Sequence, residues 1–204
     1  MITIIDYKAG NITSVKNMLK KIGVESEISD NAEHINQADK LILPGVGSFD
    51  YGVANLQSSG LFDLIIKKAK QGTPLLGICL GAQLLGIKSE EGLLNGLGLI
   101  DMQVVKFNRN LLSDNLKIPH MGWSDVIISK TDSTIFGSFT EIPRFYFVHS
   151  YHFQPNHPEL VSSTAHYGYS FAASIEKENV FGVQFHPEKS HRFGLAVLKQ
   201  FAEI

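Results

Sequence analysis

Cysteine is almost absent from this chain of 204 residues; there is one, Cys79. A single cysteine closes no intrachain disulfide and builds no thiolate metal cage, which leaves an inert small hydrophobe or a reactive thiol. Charge of one sign is lacking too. Lys+Arg number 18 against 20 Asp+Glu, for a formal net charge of -2, so no global positive field draws nucleic acid or an anionic membrane. No window approaches ~18 consecutive apolar residues, and Met1-Ile2-Thr3-Ile4-Ile5-Asp6 reads as a strand without a basic region ahead of a signal core. Repeats, low-complexity tracts and a Pro-, Gly- or Ser-rich linker are also missing. These absences predict a soluble, cytoplasmic chain with one domain over residues 1–204 and small-molecule or protein partners.

What is present changes character near Leu94. Before it, Ile2-Thr3-Ile4-Ile5 is a β-branched strand, and Ile12, Val15, Met18, Leu19 and Ile22 recur at helical spacing between Asn11 and Ile22. Val24 to Ser29 predicts a weak strand, Asp30 to Gln37 a polar connection, and Lys40-Leu41-Ile42-Leu43 a buried strand that stops at Pro44-Gly45. Helices are predicted at about Ser48 to Gln57 and Leu61 to Lys70. Thr73 to Ile78 is a strand too apolar to have a wet face, as in the middle of a parallel sheet. Repeated strand-helix units of this kind predict a mostly parallel, doubly wound α/β sheet with helices on both faces. After Leu94, short aromatic and β-branched runs (97–107, 117–128, 144–154, 160–166, 170–176 and 180–185) predict a mostly antiparallel extension, closed by a helix from Ser190 to Phe201.

Gly77-Ile78-Cys79-Leu80-Gly81 ends the most buried strand, directly before the helical Ala82-Gln83-Leu84-Leu85. A G-x-nucleophile-x-G run at a strand-to-helix turn is a nucleophile elbow, in which two small residues permit a tight backbone that projects the central side chain. The helix start favours a thiolate, and the N–H of Leu80 points where an oxyanion would form. These coincidences put the reactive reading of Cys79 ahead of the packing one. A thiolate that attacks an acyl group needs a base and the base an orienting partner. His186 follows an apolar strand, Pro187 disfavours helix there, and Glu188, two residues on along an extended segment, lies on the same side as the imidazole. An incidental loop pair is an equal reading at this point.

Other candidates are weaker. His149 and His152 stand at an odd offset that would put their rings on opposite faces of a strand, with no acidic cluster, so a metal site is rejected. His120 and His166 read as core-edge histidines. Pro44-Gly45-Val46-Gly47-Ser48 follows a strand at the carboxyl edge of the sheet, where α/β proteins place ligands, yet Asp50 breaks a dinucleotide fingerprint and no Walker lysine follows. Glycines there allow an amide to turn toward a substrate oxygen.

Taken together, Pro44-Gly45-Val46-Gly47, Gly77-Ile78-Cys79-Leu80-Gly81 with Gln83, Ile118-Pro119-His120-Met121-Gly122-Trp123, Tyr146-Phe147-Val148-His149-Ser150-Tyr151 and His186-Pro187-Glu188-Lys189-Ser190 resemble the class I, triad-type glutamine amidotransferases, and within them the glutaminase subunits of imidazole glycerol phosphate synthase. The resemblance implies a flavodoxin-like fold and a Cys79-His186-Glu188 triad. It also implies an oxyanion hole from Leu80, Val46 and Gly47, and glutamine held by Gly45, Gln83, Ser150 and Tyr151. No metal or cofactor is implied. Ammonia would pass to a synthase partner with a (β/α)8 barrel, forming a heterodimer that makes imidazole glycerol phosphate and aminoimidazole carboxamide ribotide. Asn11, Trp123, Tyr146 and Lys189 match positions at or near that partner. Such glutaminases are almost idle until the partner binds its ligand, because one oxyanion donor is turned away. The chain departs from the family pattern at Lys8, usually glycine, at Ala82, usually methionine, and at Ser124, usually asparagine. The segments around Tyr146 and Glu188 are also similar to paralogous subunits that supply ammonia to sugar-modifying synthases of surface polysaccharides.

Overall fold

Alternating β-branched and amphipathic segments set the first half of the fold, and the computed structural model describes all of residues 1–204. Its elements there are β1 (Ile2–Ile5), α1 (Ile12–Lys21), β2 (Ser26–Ser29), α2 (Ala32–Gln37), β3 (Lys40–Gly45), α3 (Phe49–Ser58), α4 (Leu61–Lys70), β4 (Leu75–Cys79) and α5 (Leu80–Gln83). One of these replaces a predicted connection. The polar segment after Asp30 contains α2, capped by the Asn31 side chain, which accepts from the backbone N–H groups of Glu33 and His34. Only Ile35 of this helix is buried, so the cap rather than an apolar stripe defines it, and periodicity carried no signal. Lys8, just after β1, has φ of 65°, a left-handed backbone that a glycine adopts without strain. That accounts physically for the glycine the family usually has there.

The second half contributes β5 (Lys88–Ser89), β6 (Met102–Lys106), β7 (His120–Ile128), β8 (Arg144–His149), β9 (Tyr151–Pro155), β10 (Val161–Tyr167), β11 (Tyr169–Lys177), β12 (Val180–Val183) and α6 (His191–Glu203). The predicted run 144–154 is two strands, because the chain turns at Ser150. The sheet order is β2-β1-β3-β4-β12-β11-β10-β7-β8. Neighbours from β2 to β12 are parallel, and those from β12 to β8 antiparallel. The strand β12 meets the expectation of antiparallel pairing at 180–185 on one edge only: it is antiparallel to β11 and parallel to β4. It returns to the middle of the sheet beside β4, with Val183 opposite Ile78, and all four of its residues are buried. A strand covered on both faces needs a continuous apolar run, and Val180-Phe181-Gly182-Val183 supplies one.

Alternation along the strands sorts the core into two layers. Ile5, Leu41, Leu43 and Leu75 face Phe49, Val53 and Leu56 of α3 and Leu61 and Ile65 of α4. Ile4, Ile42, Leu76 and Ile78 face the opposite way, onto Val15 and Leu19 of α1 and Val197, Leu198 and Phe201 of α6. Each fully buried aliphatic side chain contributes ~1.5–3 kcal/mol, so helices are fixed on both faces and the carboxyl ends of β3, β4 and β12 are left as one edge. No helix is long and apolar enough to cross a membrane.

Candidate active site

Cys79 ends β4 in a backbone conformation with φ 52° and ψ -110°. That region is strained for any residue with a Cβ, and it persists only where the surroundings enforce it. The flanking glycines do so. A Cβ on Gly81 would overlap the Leu43 carbonyl oxygen, and one on Gly77 would run into the backbone of Ala82. The turn is thus wedged between β3 and the start of α5. The helix it opens is a single turn, Leu80–Gln83, which begins two residues earlier than the predicted Ala82–Leu85, directly after the thiol.

His186 reaches Cys79 because β12 lies next to β4 and the chain continues three residues past Val183. Pro187 leaves His186 extended, with φ -102° and ψ 96°. The following residues Pro187–Lys189 form a turn of 3-10 helix, not the extended segment predicted, and it is this turn that swings Glu188 back under the ring. His186 Nδ1 donates to Glu188 Oε1 at 2.8 Å, with both side chains almost wholly buried. His186 Nε2 is buried without a hydrogen-bond partner in the protein, and His186 lines the same cavity as Cys79. Burial disfavours the charged ring, but Cys79 and Glu188 outweigh it and raise the His186 pKa to about 10. The loop is stapled by Ser190, whose Oγ donates to the His186 carbonyl at 2.6 Å and accepts the Tyr146 N–H at 3.0 Å.

A cavity of about 310 Å³ opens over this pair. Cys79, His186, Val46, Gly47, Leu80, Gln83, Ser150 and Tyr151 all line it, so the structure gathers eight of the predicted residues around one space. Gly47 has φ of 116°, which only glycine adopts freely, and Val46 beside it is exposed. Two predicted residues lie just behind the wall. Glu188 sits beneath His186, and Gly45 is paired with Cys79 across β3 and β4, where a Cβ would collide with the Tyr7 hydroxyl. Gln83 donates from Nε2 to the Tyr151 carbonyl at 3.1 Å and to Gln184 Oε1 at 3.2 Å.

Sequence reasoning missed Glu91, Pro119, Val148 and His149 in the lining. Glu91 is the only acidic group there, and its Oε2 is fixed by the Phe49 N–H at 2.8 Å. It sits in the turn after β5, eight residues beyond Gln83 but outside the motif, and nothing local in the sequence marks it. The rings of His149 and His152 are not on opposite faces: both pack on Phe107, with centroids 5.2 Å and 4.9 Å away, because the chain turns between them. Of the predicted interface residues, Trp123, Tyr146 and Lys189 form one outward cluster, with Trp123 edge-on to Tyr146 and Lys189 Nζ over the Tyr146 ring at 5.5 Å. His191 stacks on Trp123 at 5.3 Å. Asn11 opens α1, where its Oδ1 accepts from the Ser14 hydroxyl.

A thiol at a strained strand-to-helix turn, a buried imidazole charged by a carboxylate, and a flavodoxin-like sheet define the class: the chain belongs to the class-I glutamine amidotransferases, whose family model matches residues 3–203. It is an enzyme of that family. Among its relatives, imidazole glycerol phosphate synthase subunit HisH 2 of Pseudomonas aeruginosa is 48% identical over the full length of both chains. The protein of that same name in Methanococcus maripaludis is 50% identical, covering 98% of each. The fold is shared with a solved structure described as PurLQS from Thermotoga maritima, at a TM-score of 0.75 and 21% identity, covering 99% of this chain and 97% of the other.

Proposed function

We propose that this chain is the glutaminase subunit of an imidazole glycerol phosphate synthase, hydrolysing L-glutamine to glutamate and passing ammonia to a (β/α)8 cyclase partner. The carrying observation is the placement of Cys79, His186 and the Glu188 carboxylate behind one small cavity, and full-length relatives of that name support it.

In this reading the Cys79 sulfur attacks the side-chain amide carbon, and the C=O electron pair moves onto oxygen. Leu80 N–H and the Val46-Gly47 backbone receive that oxyanion, each aligned donor contributing ~3–4 kcal/mol. His186, held charged by Glu188, gives its Nε2 proton to the leaving nitrogen, and ammonia departs as the C–N bond breaks. The γ-glutamyl thioester is cleaved by a water whose proton returns to His186. Gln83, Ser150 and Tyr151 hold the substrate, and the Glu91 carboxylate receives its α-ammonium group. The Trp123-Tyr146-Lys189 cluster meets the partner, and rotation of the peptide at Gly47 switches one oxyanion donor. The chain acts as one domain, with a free thiol suited to a reducing cytoplasm.

The test is Cys79→Ala assayed with the cyclase partner. Glutamine-dependent product formation should vanish while ammonia-dependent formation persists. Retained glutamine dependence would refute the mechanism, and equal glutamine turnover with and without the liganded partner would refute the switch.

A further inference from the structure

Behind the cavity, polar side chains form an unbroken chain of hydrogen bonds that ends on the nucleophile. Its fixed point is the Tyr151 carbonyl oxygen, which can only accept. It takes a Gln83 Nε2–H at 3.1 Å and the His149 Nδ1–H at 2.8 Å. The Gln83 amide is thereby oriented, and its second N–H goes to Gln184 Oε1 at 3.2 Å. With that oxygen committed as acceptor, Gln184 points its Nε2 at Cys79 Sγ, 3.8 Å away, a distance that suits the large radius of sulfur. Gln184 is wholly buried, and its backbone N–H is bound to the Ala173 carbonyl at 2.9 Å, so neither side chain nor strand is free to turn. On the other side of the carbonyl, His149 Nε2 accepts from His120 Nδ1–H at 3.0 Å, and His120 Nε2 accepts from the Ser124 hydroxyl at 3.0 Å. Burial holds both rings neutral, which this sequence of donors and acceptors requires.

We propose that Gln184 is a further catalytic residue: its side-chain N–H donates to the Cys79 sulfur and favours the thiolate, with its direction enforced through Gln83 by the Tyr151 carbonyl. A donor aimed at an anion is stronger than one aimed at a neutral atom, so the amide stabilises the attacking form selectively. An acceptor in its place would do the reverse. The inference deepens the glutaminase reading of the same pocket and rests on it for the substrate only.

Cys79 is the sole cysteine, so alkylation by iodoacetamide reads this sulfur alone. Gln184→Met removes the donor without adding charge. Gln184→Glu is isosteric, keeps an acceptor for Gln83 and replaces the donor by a second acceptor. In both, alkylation near neutral pH should slow by roughly tenfold to a hundredfold, and the midpoint of its pH profile should move upward. The kcat for glutamine should fall by a similar factor with KM changed by less than about threefold. A folded Gln184→Glu protein with unchanged alkylation rate and midpoint would overturn the proposal, whatever becomes of Gln184→Met. If the wild-type chain with its partner releases no glutamate while the alkylation profile still depends on Gln184, the glutaminase reading fails and this one stands.

Discussion

His186, beyond the parallel strand β12, and His120, His149 and His152, on the antiparallel strands β7, β8 and β9, are all buried, yet they are driven to opposite charge states. The antiparallel three have lowered pKa values, with burial as the first cause in each, and His120 is brought down to about 4. His186 suffers the same burial and is raised to about 10. The difference lies in the partners. His186 faces a carboxylate and a thiol, whereas the others bond to two carbonyls, hydroxyls and one another, and the one carboxylate acting on them, Glu90 on His152, is outweighed by burial. Desolvation alone makes a histidine a neutral strut, while a neighbouring thiol and a buried carboxylate at 2.8 Å together outweigh it and keep the ring charged. In the proposed glutaminase reading, the parallel half supplies the reacting groups, while the buried histidines of the antiparallel half stay neutral behind and beside the cavity.

The largest break in that comparison should come from Glu188→Gln. Without the carboxylate, His186 loses its counter-charge and kcat should fall about 10³- to 10⁴-fold, as expected for loss of the group that orients a catalytic imidazole. The alkaline limit of activity should also move down in pH, which a rate profile against pH would show; an unmoved limit would mean that Glu188 only packs. Next, Gly81→Ala on the parallel side should cost ~2–4 kcal/mol, because its Cβ collides with the Leu43 backbone. Gly122→Ala on β7 meets open space and carries only the strain of φ 134°, so urea unfolding should report ~1–2 kcal/mol there.

A smaller effect separates the two kinds of histidine by pH. Because His186 is raised, its contribution to stability is fully present below the ordinary value near 6.5 and is lost as pH rises through about 10. Because His120 is lowered, its contribution is present above about 6.5 and is lost as pH falls through about 4. His120→Phe should cost ~1–3 kcal/mol at neutral pH, through the unpaired His149 and Ser124 groups, and should flatten the acid limb of the stability curve while leaving the alkaline limb unchanged. An acid limb as steep as in the wild type would assign it to other groups. The smallest change expected is from Lys8→Gly, a gain of up to about 1 kcal/mol from relief of its left-handed backbone, visible as a slight rise in Tm without change in kcat.

The same halves differ in how much of them could be read from the amino acids. The turn at Cys79 was legible because its elbow pattern is written within five residues, and the His186–Glu188 contact because the two lie two residues apart, although a 3-10 turn rather than an extended strand joins them. The parallel units were legible from period and apolar runs. What escaped were placements decided across the chain. Nothing local says that β12 inserts beside β4, yet that insertion brings His186 and Gln184 to Cys79. Glu91 and Ser190 acquire their positions from contacts with Phe49 and Tyr146, and the break at Ser150, which returns His152 to the face of His149, lies inside a run whose aromatic residues continue on both sides of it.

The conformation of Cys79 carries one more consequence. A residue with φ 52° and ψ -110° is relaxed only as glycine, so Cys79→Gly should unfold at a higher temperature than the natural chain while being chemically inert. Relief of the turn and retention of the thiol pull in opposite directions, and a screen for thermal tolerance alone would select against the thiol.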